Sequence, residues 1–428
     1  MRGVGGLERR DLTGAARRRP APPPSGADDD AVRSGGRGAP GRVAEVHAQT
    51  RRGLVTTAAF VAAAVATGVT GAGDGWWLPL HLFVVGALLS AISAVTQMLA
   101  VTWSAAPAPR PAVAAGQRWL LAVGTVTLVA GRETDRTWMF VAGGAAVVVA
   151  MLGLAAILVG IRRSAVTARF APAIEAYVAA VVAGAIGMTI GILLGAGRAG
   201  AKAAELRDVH LTLNVLGLVG LVVAGTLPFF AATQVRAKMS PRATPTAIRS
   251  AVAGLTAATA VAAVGHLVAR PGVAAVGLVA YAIGLLAIGA MLPIYARGRL
   301  SWSGPRGVQL LTGVIWWVAT TVALASSTLR ESGDRAVLQA LVIGGLAQIL
   351  VASLAYLGPV LRGGGHRRLT AGFAITRSWV SLVAGNAAGF AALAGERRAL
   401  ALVLTIWLAD IALRAGRLVA TTGRDGDV

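Results

Sequence analysis

Cysteine is absent from the 428 residues. That excludes disulfides, iron–sulfur clusters and thiolate metal sites, and leaves histidine, methionine and carboxylates as the available ligand types. Charge is also scarce, at 14% of residues, and acidic residues are scarcer still, 18 against 40 Lys and Arg. A soluble chain of this length would carry nearer a quarter charged residues, so too little charge is present to clothe a water-exposed surface. Aromatics make up only 5%, and there are five histidines. No apolar run follows the initiating Met within the first 30 residues, so no cleavable signal peptide is expected. The sequence also holds no HExxH, no glycine-rich phosphate loop and no defensible Ser/His/Asp set, and independent catalytic activity is not expected.

What is abundant is apolar length. Hydrophobic residues account for 56% of the chain, mean hydropathy is +0.69, and there are 55 glycines. A hydrocarbon layer about 30 Å thick takes roughly 20 apolar residues per helix. On that measure the chain reads as an all-α polytopic protein of about twelve transmembrane helices in a lipid bilayer. The spans fall near 53–72, 77–102, 118–131, 138–161, 172–197, 209–234, 247–269, 272–294, 307–328, 337–361, 378–394 and 399–416. The domain division is then a twelve-helix region over 53–419 and two tails. Residues 1–52 (Arg17 to Arg19, prolines from Pro20 to Pro24, Asp28 to Asp30) cannot bury a core and read as a disordered cytoplasmic tail, and 420–428 as a second short one.

Lysine and arginine set the orientation. With the N-terminus inside, 30 of the 40 basic residues fall on the inner side and 10 outside, the latter nearly balanced by eight carboxylates including Asp208, Glu331 and Asp334. A multi-pass plasma-membrane protein with both termini cytoplasmic is therefore expected. The excess charge faces an anionic leaflet rather than nucleic acid, since no folded extramembrane domain is available to carry a binding face.

Three histidines stand at one depth. His81 follows Trp76 and Trp77 at the start of the second span, His210 follows Asp208 at the start of the sixth, and His266 precedes Arg270 and Pro271 at the end of the seventh. At 1.5 Å per residue all three fall within roughly 5–8 Å of the outer interface. Interfacial imidazoles can merely reach for headgroups. They can also ligate haem iron or copper, or relay protons. Asn214 shares a helical face with His210, Gly217 and Leu221, and could orient the imidazole or touch a cofactor edge. His47 and His366 lie among arginines and read as solvated. Ser90, Ser93 and Gln97 form a helix-packing stripe, Trp316 and Trp317 pack in mid-span, and Asp410 and Arg414, at i and i+4, form a local ion pair. Glu175 and Arg377 snorkel at inner helix starts, while Gln348, Tyr356 and Asn386 are candidates for interhelical hydrogen bonds.

An internal echo runs through the chain. His81-Leu-Phe-Val-Val-Gly86 matches Gln339-Ala-Leu-Val-Ile-Gly344, and the sixth span opens on His210-Leu211 as the second opens on His81-Leu82. Spans two, six and ten are four helices apart, which suggests three arcs of four helices.

The stretches His81–Trp103 (HLFVVGALLSAISAVTQMLAVTW), His210–Met239 (HLTLNVLGLVGLVVAGTLPFFAATQVRAKM) and Gly345–Pro359 (GLAQILVASLAYLGP), with the Gly385-Asn386 step, cover under a third of the chain. They resemble NnrS-like haem- and copper-containing membrane proteins, the haem–copper oxidase catalytic subunit, and the membrane part of actinobacterial multicopper oxidase or nitrite-reductase-type proteins. The resemblance implies haem b or copper near the outer face, held by His81 and His210, and electron transfer or nitrogen-oxide/metal homeostasis with a redox partner protein outside the membrane; His266 joins the candidate ligands by its depth alone. The chain departs from the oxidase pattern in having no adjacent His pair and Gln339 where span ten would carry a ligand, so a complete oxygen-reducing centre is not expected. A secondary transporter and a cofactor-free subunit of a membrane complex remain the alternatives.

Overall fold

The computed structural model describes residues 39–73, 75–293, 301–363 and 365–423. Among them there is no strand. Eleven helices are long and apolar enough to cross a membrane: α1 (Ala39–Thr70), α2 (Trp77–Ser104), α3 (Pro111–Glu133), α4 (Thr137–Arg163), α5 (Ala171–Gly195), α6 (Gly200–Gln234), α7 (Pro245–Leu267), α8 (Pro271–Ala290), α9 (Pro305–Leu329), α10 (Arg335–Arg362) and α13 (Arg397–Gly423). A short helix α11 (Gly365–Thr376) and the 15-residue apolar helix α12 (Trp379–Leu393) complete the set. The protein is an all-α polytopic membrane protein, with α12 and α13 as the eleventh and twelfth expected spans.

Helix starts follow local chemistry. Prolines at the first or second position open α3, α5, α7, α8 and α9, where the missing N–H costs nothing. This is why α3 begins at Pro111, seven residues before its apolar run. Two boundaries differ from expectation. Residues 39–52, assigned to a tail on their charge, form the first turns of α1. Val46, Gln49 and Thr50 are buried there, and Arg42 donates to the carbonyl of Ala105 at 3.0 Å. The polar stretch is a helical extension clamped to the end of α2. The rest of the expected N-terminal tail, and 424–428 of the second, lie outside the described residues; 420–423 continue α13. Between α10 and α12 the inner loop folds as α11, which buries Phe373 and exposes His366 and Arg367.

The spans fall into three consecutive groups of four with the same internal packing. The first helix of each group lies along the second (α1 on α2, α5 on α6, α9 on α10), and the third and fourth form a tight hairpin (α3–α4, α7–α8, α12–α13). Glycines set the closeness of these hairpins: a Cβ on Gly124 would sit 3.0 Å from the backbone nitrogen of Val147. The second helix of every group contains a π-helical stretch in its N-terminal half: Leu82–Leu88, Leu213–Gly220 and Leu341–Ala347. Each opens on a buried leucine (Leu82, Leu213, Leu341) and has a buried glycine at its fifth position (Gly86, Gly217, Gly345). The sequence echo thus has a structural counterpart, with Gly86 paired to Gly345 rather than to Gly344.

A wide turn in a helix leaves carbonyls short of donors, and lipid offers none. In α6 the Leu216 carbonyl accepts from Tyr281 Oη at 2.9 Å, and in α10 the Gly344 carbonyl accepts from Gln348 Nε2 at 2.8 Å. Gly220 makes the first of these possible, because a Cβ there would run into the Tyr281 hydroxyl.

Side-chain hydrogen bonds tie the groups internally. Ser93 donates to Gln117 Oε1 at 2.7 Å and Gln117 to the Ala150 carbonyl at 3.1 Å, so the polar stripe of α2 binds α3 and α4. Trp316 donates to Asn386 at 2.9 Å, and Asn386 to Gln348 at 3.3 Å. Trp317 is fully buried and Trp316 nearly so. Arg414 pairs with Asp410 at 2.9 Å, and Ser378 donates to the same carboxylate at 2.6 Å. Glu175, expected to snorkel, is instead gripped by Arg162 from α4 at 3.3 Å and Arg249 from α7 at 2.7 Å.

Two measurements check this architecture. Gly220→Ala should lower stability by about 1–3 kcal/mol through lost hydrogen bonding and overpacking, while Gly272→Ala, which meets open space, should not; thermal unfolding in detergent distinguishes them. Because the chain has no native cysteine, single thiols report sidedness: Ser332→Cys should react with a membrane-impermeant maleimide on intact cells, and Ser164→Cys only after permeabilisation. The reverse pattern would invert the orientation.

Candidate functional site

His210 owes its position to glycines on α5. Gly184, Gly187 and Gly191 lie on one face of that helix and meet Leu218, Asn214 and His210 of the antiparallel α6. A Cβ at Gly187 would stand 2.5 Å from Asn214 Nδ2, and one at Gly191 would stand 2.6 Å from His210 Cε1. The close approach brings His210 Nδ1 to 2.7 Å from the Gly187 carbonyl oxygen. A carbonyl only accepts, so Nδ1 carries the proton and Nε2 is left with a lone pair. Asn214 donates to the His210 carbonyl at 2.8 Å, and its Nδ2 lies 3.3 Å from Nδ1. With Nδ1 already protonated, that second approach is a packing contact; Asn214 fixes the turn that carries the imidazole.

His81 is held in the same tautomer by a different device. Its Nδ1 lies 2.8 Å from the Trp77 carbonyl one turn earlier, and its ring stacks on the Trp77 indole at 4.1 Å between centroids and 20° between planes. Trp77 in turn packs against Phe140 of α4 and lies under the Arg132 guanidinium at 5.7 Å. His81 is therefore clamped immediately before the first π stretch, and His210 two residues before Thr212, which precedes the second.

His266 is placed differently. It lines a small cavity between the outer ends of α6, α7, α9 and α10 together with Asp208, Thr212, Thr328, Asp334 and Leu338. It lies within electrostatic reach of both carboxylates. His47 is half-buried on α1 rather than solvated in a tail, and His366 is exposed on α11. Among the described residues no group of three or more His, Asp or Glu side chains is arranged to hold a metal ion. The arrangement that results is two imidazoles with free Nε2 atoms, one on α2 and one on α6, and a third beside acidic groups.

Sequence reasoning missed the α5 glycines, although the spacing Gly184, Gly187, Gly191 follows one helical face and marks a helix awaiting a close neighbour. The tautomer-setting carbonyls are backbone atoms and leave no mark in the sequence. No protein-family model matches the chain, and no curated protein matches it.

Gly191→Leu should displace the His210 ring and break its contact with Gly187. Reaction of that imidazole with diethyl pyrocarbonate, followed by mass spectrometry, should then rise to the level of exposed His366. Unchanged modification would show that His210 does not depend on the α5 seam.

Proposed function

We propose that this membrane protein binds haem b or a copper ion through His81 and His210 near its outer face, and serves electron transfer or nitrogen-oxide/metal homeostasis. The observation that carries the reading is the shared tautomer. Each imidazole spends Nδ1–H on a backbone carbonyl and keeps Nε2 as a lone-pair donor, the arrangement that ligating histidines adopt.

The surroundings fit such a group in chemistry. Trp77 and Phe140 supply flat apolar surface beside His81, and Gly187 and Gly191 keep the α5 backbone low beside His210. Bound there, iron porphyrin or copper would supply one-electron transfer. The chain's own contribution is to fix ring orientation, exclude water and set the depth below the outer loops, within reach of a soluble redox protein. The three groups of four helices agree with the arrangement that the resemblance to haem–copper membrane proteins implies. The third group presents Gln339 and Ala340 before its π stretch and offers no imidazole. The proposed site therefore draws on the first two groups alone, with Asn214 as positioning residue and His266 outside the primary ligand pair.

A visible spectrum of the purified protein, with and without dithionite, and metal analysis test the reading. A reduced α-band or a stoichiometric metal that is lost in both His81→Ala and His210→Ala, and kept in His266→Ala, is the expected result. A colourless, metal-free protein from haem- and copper-replete cells would refute it.

A further inference from the structure

At the opposite, inner end of the bundle a cation is buried without a counter-ion. Arg306 stands in the first turn of α9 and is only 2% exposed. Its Nε donates to Gln234 Oε1, at the end of α6, at 3.1 Å. Gln234 is fixed in turn by donating to the Ala352 carbonyl of α10 at 3.3 Å. The other two guanidinium nitrogens, Nη1 and Nη2, have no acceptor. Among the described residues Arg306 makes no ion pair.

Its neighbours are aromatic rings: Phe373 from α11 at 4.8 Å, Tyr356 from α10 at 5.2 Å and Trp302 at 5.4 Å. Ring faces attract a cation, but they do not take the two in-plane N–H groups of a guanidinium fork. The helix itself adds to the imbalance. The first turn of a 25-residue helix is the positive end of its dipole, where a cation is disfavoured and an anion is favoured. A buried charge in a membrane bundle that lacks its partner marks a functional site by default.

We propose that Arg306 is the floor of a binding site for a phosphate oxyanion at the inner face. The fork geometry of Nη1 and Nη2 suits two oxygens of one phosphate. Arg236, which stacks on Trp302 at 4.0 Å, and Arg377, whose guanidinium donates to the Trp302 carbonyl, are both exposed and converge on the ring that lies beside Arg306. Trp302 and Tyr356 are half-buried, as amphipathic rings at headgroup depth are. The same phosphate chemistry is available from the headgroup of an anionic phospholipid and from free phosphate, and both sources are abundant at this face if it is cytoplasmic.

The purified full chain, reconstituted in nanodiscs, separates these sources. Thermal stability is measured in phosphatidylcholine, in phosphatidylglycerol, and in phosphatidylcholine with millimolar inorganic phosphate against chloride at equal ionic strength. Native mass spectrometry counts retained phosphatidylglycerol. Wild type should gain several degrees in at least one phosphate-bearing condition by mass action. A gain with phosphatidylglycerol alone identifies a headgroup site, and a gain with inorganic phosphate identifies a soluble-phosphate site. Arg306→Lys, which keeps the charge and loses the fork, should weaken retention about tenfold, and Arg306→Gln should abolish the gain. If either variant fails to accumulate, the other and the wild-type comparison decide. A wild type indifferent to both sources, or a variant that responds as wild type does, would overturn the proposal. Because the probes are colourless and act at the inner end, this outcome is independent of the haem or copper reading at the outer end.

Discussion

In hydrocarbon a backbone carbonyl without a donor has no water to turn to, and this constraint governs the irregular parts of the structure. The three π stretches widen α2, α6 and α10 where a straight helix would be cheaper. Two of them show how the widening is tolerated: Tyr281 reaches across from α8 to the Leu216 carbonyl, and Gln348 folds back to that of Gly344. Each solution needs small residues. Gly220 clears the path of the Tyr281 hydroxyl, and a Cβ on Gly344 would meet the Trp316 indole at 2.8 Å. Position-specific glycine is therefore a requirement of backbone satisfaction here as much as of packing.

The same logic sets the imidazoles. His210 can reach the Gly187 carbonyl only because Gly187 and Gly191 let α5 and α6 approach, and the bond it makes there fixes which nitrogen is free. His81 reaches the same electronic state by a contact within its own helix, with Trp77 supplying both carbonyl and stacking surface. Two independent routes to one tautomer, each just ahead of a π stretch in successive helical groups, argue that the repeat organises the site. The third group keeps the π geometry and lacks the histidine.

Much of the fold was legible because hydropathy and 3.6-residue periodicity report directly on lipid exposure. The spans and the Asp410–Arg414 pair follow from side chains whose spacing is fixed by the helix. The boundaries that escaped did so for a physical reason. Residues 39–52 and 365–376 are polar enough to read as loops, yet they are held as helix by contacts distant in sequence, Arg42 to Ala105 and Phe373 to Tyr356. The position of His81, His210 and His266 near helix ends was readable. Their different facing was not, since rotation about a helix depends on neighbours, and those place His266 beside Asp208 and Asp334.

The arginines at the end of the bundle that carries the N-terminal turns of α1 have a structural use beyond their charge. Helices that descend to this end present unsatisfied C-terminal carbonyls, and arginines from elsewhere cap them: Arg42 that of Ala105, Arg51 that of Leu361 at 3.0 Å, and Arg362 that of Thr421 at 2.7 Å. Charge and dipole agree at each of these positions. Arg306 breaks the pattern by sitting at the start of a helix, where the dipole has the wrong sign for it and no carbonyl is offered to Nη1 or Nη2. Among the described residues Arg42 and Arg362 each place a terminal guanidinium nitrogen on a carbonyl, whereas both terminal nitrogens of Arg306 are without one.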